Sequence, residues 1–198
     1  MLGAIRFLDN DISLSIFLNL ALIPSGIIHG RIWTLVTYMF LHDPNSIWHI
    51  VFNMFGLYML GPYVERILGS RRFTILYFVG GIVGALIFVA WGLTFGVPSR
   101  PAIGASAGVM GILLGFALLY PHAKLYLYFL VPIEARRLIP LSIGIDLIVA
   151  MSDSSIAWQA HLGGMLGAWI YLRRPWTRQY MRSWQNKFNM ITGHRRPF

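Results

Sequence analysis

Ser106, His161, His49 and Asn53 are polar side chains set just inside the starts of three otherwise apolar segments. Ser106 lies in Ile103-Gly104-Ala105-Ser106-Ala107-Gly108, directly after the turn residues Pro98 to Pro101. A hydroxyl among small residues at a helix start has two chemical advantages. Another backbone can approach it closely, and the unpaired N–H groups of the first helical turn can face a developing negative charge. That is what a nucleophilic serine requires. His161 can take the serine proton as general base and return it to a leaving amine as general acid. His49 and Asn53 are four residues apart and share one helical face. They can donate hydrogen bonds to a tetrahedral oxyanion together with the Ser106 backbone N–H. Without the histidines and Asn53, the glycines around Ser106 would read as a helix-packing surface.

The solvent around these residues follows from composition. Of 198 residues, 57% are hydrophobic and 12% charged, and the mean hydropathy is +0.63. Such a chain cannot clothe itself for water, so most of it faces lipid or other apolar helices. The absence of cysteine removes disulfides, thiolate metal sites and cysteine nucleophiles. A formal charge of +9 would suit nucleic acid, but the basic residues sit in short clusters between apolar segments, as membrane orientation requires.

Six membrane spans are expected in one domain covering residues 1–198, the first doubtful or truncated. Ile12 to Ile28 is interrupted by Asn19, Pro24, Ser25 and Gly26, and it is marginal against the ~20 apolar residues a span needs. With no basic start and no small-residue cleavage site, it does not read as a signal peptide. Arg31 to Trp48 is expected to be an interfacial loop carrying Trp33, Tyr38 and Trp48. The remaining spans are His49 to about Val64, Phe73 to about Phe95, Ile103 to about Tyr120, Leu138 to about Met151, and Ala157 to about Leu172. Lys124 to Pro132 is expected to be extended. Basic residues gather at Arg66, Arg71 and Arg72, at Lys124, Arg136 and Arg137, and in the tail from Arg173. Those segments are therefore expected on the cytoplasmic side, the tail as a topogenic, lipid-binding stretch, and Ser99 and Arg100 outside.

The four polar residues then enter from the outer face, each roughly 5–10 Å deep at 1.5 Å per residue. Ionisable residues at such depth are costly and face an interior or a wet cavity. No Asp or Glu stands in an obvious place to orient His161, so the expected machinery is a Ser–His dyad. Gly104 and Gly108 are spaced as small-xxx-small, as are Gly163 and Gly167, and Gly164 lies beside them; this pattern is expected to let the segments bearing Ser106 and His161 pack closely. A metal held by His49 and His161 would lack a third ligand at that depth. No cofactor is expected. His29 and His42 are read as structural or solvated, His122 as cytoplasmic and His194 as part of the tail. Glu65 with Arg66 is expected to tie one helix end to a neighbour. Asp146 receives no functional role and is expected to hydrogen-bond another helix in neutral form.

Taken in order, His49-x-x-x-Asn53-Met54, Gly61-x-x-x-Glu65 with Gly69 following, Gly104-x-Ser106, and Ala160-His161-x-x-Gly164 resemble the rhomboid family of intramembrane serine proteases. The resemblance covers nearly the whole chain from Trp33 onward. It implies a six-helix all-α transmembrane bundle with a short central span bearing Ser106 and a membrane-embedded loop after the first span. It further implies Ser106 as nucleophile, His161 as its base, and His49 and Asn53 as oxyanion-side residues, with transmembrane proteins as substrates. Three positions depart from the family pattern. Ala107 stands where Gly is usual, Met110 where an aromatic commonly packs beside the histidine, and Thr34 where Arg often follows Trp33. These departures keep a second reading in play, a catalytically silent member that binds transmembrane helices. A transporter is disfavoured by the lack of a charged path and of paired broken helices.

Overall fold

Gly69 divides the longest apolar stretch into two helices. Its φ of 75° and ψ of 154° fall where essentially only glycine sits without strain, so α4 (Ile47–Leu68) stops there and α5 (Ser70–Phe95) begins one residue later. The computed structural model describes residues 11–96, 101–127, 131–152 and 157–175, with Thr177, Gln179 and Ser183 beyond them. Ahead of α4 lie α1 (Asp11–Leu20), α2 (Pro24–Ile28) and the single turn α3 (Thr34–Thr37), which runs into a 3₁₀ turn at Tyr38–Phe40. After α5 come α6 (Ser106–Leu119), the strands β1 (Lys124–Leu127) and β2 (Val131–Glu134), α7 (Ala135–Ser152) and α8 (Trp158–Leu172).

Two of these helices, α4 and α5, are long and apolar enough to cross a membrane. The 14 residues of α6 are apolar but span only roughly 21 Å at 1.5 Å per residue, less than the ~30 Å hydrocarbon core. A helix this short is sheltered by its neighbours: α6 touches α4, α5, α7 and α8. Large apolar side chains on α4, among them Ile47, Trp48, Phe52, Phe55 and Tyr58, point outward instead.

The stretch expected as a first span is not one helix. The residue before a proline is pushed into extended backbone, and Ile23 has φ −124° and ψ 125°, so α1 and α2 are separated at Ala21 to Ile23. The freed backbone is used: Leu22 and Ala102 exchange N–H···O bonds of 3.0 and 2.8 Å as an isolated antiparallel bridge. The expected loop from Arg31 carries α3 and the 3₁₀ turn, and Trp48 already belongs to α4. In the stretch expected to be extended, β1 pairs antiparallel with β2, Lys124 opposite Glu134, and Glu134 pairs with Arg136 two residues on at 2.6 Å. Glu65 makes no side-chain tie among the described residues, contrary to expectation. Ser99, Arg100, His194 and the tail arginines Arg178, Arg182, Arg195 and Arg196, with Lys187, lie outside the described residues.

Glycine brings α5, α6 and α8 together, though not through the pairs expected. Gly164 of α8 abuts the Ala107 backbone of α6; a methyl placed there would meet the Ala107 carbonyl carbon at 2.8 Å and its oxygen closer still. Gly163 and Gly167 face α5 instead, against Gly84 Cα and the Val79 carbonyl. Gly108 of α6 is covered by the Tyr77 ring of α5. Gly104 lies ahead of α6 and meets α4. Small-xxx-small spacing names a face without naming its neighbour. Beyond this seam, Leu60, Val64, Leu68, Leu76, Ile112, Phe116 and Leu172 fill the core around the far half of α6. A second cluster of Leu22, Tyr38, Met39, Ala85, Val89 and Ala102 supports the segment leading to Ser106.

Candidate active site

Ser106 is the first residue of α6, and the backbone in front of it is held from three sides. Ala102 is bridged to Leu22, Gly104 N–H donates to the Tyr38 carbonyl at 2.9 Å, and the Tyr38 hydroxyl donates to the Gly81 carbonyl of α5 at 2.8 Å. Burial, and secondarily Tyr77, push the Tyr38 phenol above its usual range, so it stays a neutral donor. Gly104 has φ +112°, a left-handed value that disfavours side chains. The missing side chain also leaves room for His49: a Cβ at Gly104 would lie 2.6 Å from His49 Nε2 and 3.6 Å from Asn53 Nδ2. The loop before the hydroxyl thus passes directly under both α4 side chains.

The hydrogen bonds of α4 leave donors free on that side. Asp43 N–H donates to His49 Nδ1 at 3.3 Å, so in the neutral ring the proton is on Nε2, the nitrogen beside Gly104. Asn53 is buried and donates through Nδ2 to the His49 carbonyl at 2.9 Å. An amide nitrogen carries two hydrogens, and one remains. His42, read from sequence as bland, meets His49 edge-on with ring centroids 5.3 Å apart. Partial burial holds its imidazole below the ordinary histidine range.

His161 comes from the first turn of α8 and lies with Nε2 2.8 Å from Ser106 Oγ. These two residues are 55 positions apart in the chain. Its other nitrogen, Nδ1, is 2.8 Å from Asp146 Oδ2 of α7. Both of these side chains are buried, with relative exposures of 11% and 8%. The sequence offers no carboxylate in an obvious place beside His161, and the structure puts Asp146 there. Asp146 was singled out in the sequence only for its cost, because a separation of 15 residues across two helices has no recognisable spacing. Six buried polar residues are found among the described ones, and Asn53, Asp146 and His161 are three of them.

Ala107, the departure beside the serine, is fully buried, and its methyl points at Gly84: a Cβ at Gly84 would be 2.7 Å from it. The extra carbon at Ala107 therefore occupies space left open on α5. Thr34 is also fully buried and donates to the Arg31 carbonyl at 2.7 Å, fastening the turn where the family often has arginine. Among the described residues no three His, Asp or Glu side chains gather as a metal site.

The rhomboid domain model matches residues 29–174. The chain belongs to the rhomboid family. It is 35% identical over 162 residues to RHOMBOID-like protein 12, mitochondrial, of Arabidopsis thaliana, covering 73% of this chain and 48% of that protein. It is 32% identical over 146 residues to Rhomboid protease GluP of Bacillus subtilis, covering 74% of this chain and 26% of that protein. A shorter match, 30% over 83 residues, covers 42% of this chain and 22% of Inactive RHOMBOID-like protein 8 of Arabidopsis thaliana. The chain spans half the length or less of these relatives. Rhomboid proteins are integral membrane proteins, and the named relatives include both a protease and an inactive member.

Proposed function

We propose that this rhomboid protein is an intramembrane serine endopeptidase, with Ser106 as nucleophile and His161 as its base. The observation that carries the reading is the 2.8 Å contact between Ser106 Oγ and His161 Nε2 in an otherwise apolar bundle. His161 Nε2 accepts the hydroxyl proton as Oγ forms a bond to a substrate carbonyl carbon. The carbonyl oxygen takes the negative charge, facing the first-turn N–H of Ser106 with the free donors of His49 and Asn53. His161 then gives its proton to the amine nitrogen as the C–N bond breaks, and water repeats the cycle on the ester.

The substrates in this reading are transmembrane proteins, cut near the outer face. A helical peptide bond is shielded by its own hydrogen bond, so the substrate unwinds locally, which is costly in lipid and cheaper where water reaches. The small residues Gly104, Ala105 and Ala107 favour a small side chain at the cut bond. In this reading the five later spans cross the membrane, the basic tail is cytoplasmic, and the outward large apolar residues of α4 meet lipid. The purified protein should label with a fluorophosphonate probe, and Ser106→Ala should not. If the wild type fails to label while binding transmembrane helices, the chain is a catalytically silent binder. If Ser106→Ala labels equally, the serine assignment is wrong.

A further inference from the structure

We infer that Asp146 is a positioning residue for His161, so that this chain carries an Asp–His–Ser relay; the inference rests on the serine-peptidase reading above. Asp146 is the twelfth residue of the 18-residue α7, whose other charged residues, Arg136 and Arg137, lie in its first turn, and around Asp146 the helix presents Ile145, Leu147, Ile148 and Met151 outward. A carboxyl placed in apolar surroundings is expensive unless a partner receives it. The partner here is the nitrogen of His161 opposite the one that meets Ser106, at 2.8 Å.

The two His161 nitrogens are chemically linked. When Nδ1–H donates to the Asp146 carboxylate, Nε2 has no proton and must accept from the serine hydroxyl. When instead a carboxylic acid donates to Nδ1, Nε2 carries the proton and cannot act as base. The relay is the first arrangement. As Oγ attacks, the serine proton moves to Nε2, the imidazole becomes imidazolium, and Asp146 keeps its charge beside Nδ1–H without taking the proton. The carboxylate thereby holds the working tautomer and ring orientation, and stabilises a cation that exists only during reaction. A merely structural bond between α7 and α8 would do none of this in the transition state.

The test compares wild type, Ser106→Ala and Asp146→Asn on a reporter transmembrane substrate in liposomes, with thermal unfolding measured alongside. Asp146→Asn should lower kcat by ~10²–10⁴-fold, as loss of the acidic member of such a relay does elsewhere, with KM and Tm close to wild type. A kcat per folded molecule within about threefold of wild type would overturn the inference, whatever happens to Tm. Should Asp146→Asn fail to fold, ¹⁵N NMR of histidine-labelled wild type decides without it, with His161 assigned by its absence in His161→Ala. A proton on Nδ1 supports the relay, and a proton on Nε2 alone overturns it. Failure of the peptidase reading is separate: there the wild type itself does not cleave, or Ser106→Ala still does.

Discussion

A single methyl at Gly164 should separate α6 from α8. In Gly164→Ala the new Cβ meets Ala107 backbone at three atoms, with the carbonyl carbon at 2.8 Å and Cα at 3.1 Å. Backbone cannot rotate aside as a side chain can, so relief requires α6 and α8 to part. Bringing the carbonyl carbon back to the 3.4 Å edge of ordinary contact needs an opening of about 0.6 Å, and the nearer oxygen demands more. Ala107 adjoins Ser106, and Gly164 is one turn beyond His161, so the same opening stretches the 2.8 Å Ser106–His161 contact towards the limit of a hydrogen bond. Overpacking of this kind costs about 1–3 kcal/mol in stability, and misplacement of a reacting group by about 1 Å costs on the order of 10²-fold in rate. The expected outcome is a kcat lower by ~10–10²-fold and a reduced Tm, read by reporter cleavage in liposomes and by thermal unfolding. Gly144→Ala is the control, because nothing lies within 4 Å of a Cβ there. If Gly164→Ala matches Gly144→Ala in both readouts, the helices do not meet through this glycine as described, and the reasoning fails.

Two further substitutions separate chemistry from support. Asn53→Ala should reduce turnover by ~10²–10³-fold with a much smaller effect on Tm, since the amide hydrogen not used by the His49 carbonyl is the one assigned to the oxyanion. Unfolding, or turnover near wild type, would make Asn53 a packing residue. Tyr38→Phe removes the hydroxyl that bonds the Gly81 carbonyl but keeps the Tyr38 carbonyl that receives Gly104 N–H. It should cost about 0.5–1.5 kcal/mol in denaturant unfolding while kcat stays within a few-fold, and a large kcat loss would show that Tyr38 does more than brace α5.

What could be read from the chain was whatever leaves a local mark. Ser106 among small residues, and His49 with Asn53 one turn on, declare a helix start and a shared face in a few positions. The long apolar runs of α4 and α5 and the proline that divides α1 from α2 are equally local. Asp146 was noticed only as a cost, because its partner depends on how α7 is rotated against α8, which no run of residues states. The glycines marked close approach, but Gly163 and Gly167 turned to α5 and only Gly164 met α6, since the face of one helix does not name the helix opposite. The Leu22–Ala102 bridge left no mark either. It joins backbones, and its side chains are ordinary apolar residues.

That bridge also bears on the order in which the site can come into being. The backbone ahead of Ser106 is fastened to Leu22 and Tyr38, segments made some 80 and 66 residues earlier for Ala102 and Gly104 respectively. A ribosome delivers the chain from its N-terminus, so Leu22 and Tyr38 are already synthesised when the serine emerges. His161 and Asp146 arrive afterwards, on α8 and α7, and until α8 docks against the glycine seam the hydroxyl has no imidazole beside it. On the proposed peptidase reading, the serine therefore passes through membrane insertion unactivated, and the docking of α8 completes its proton path.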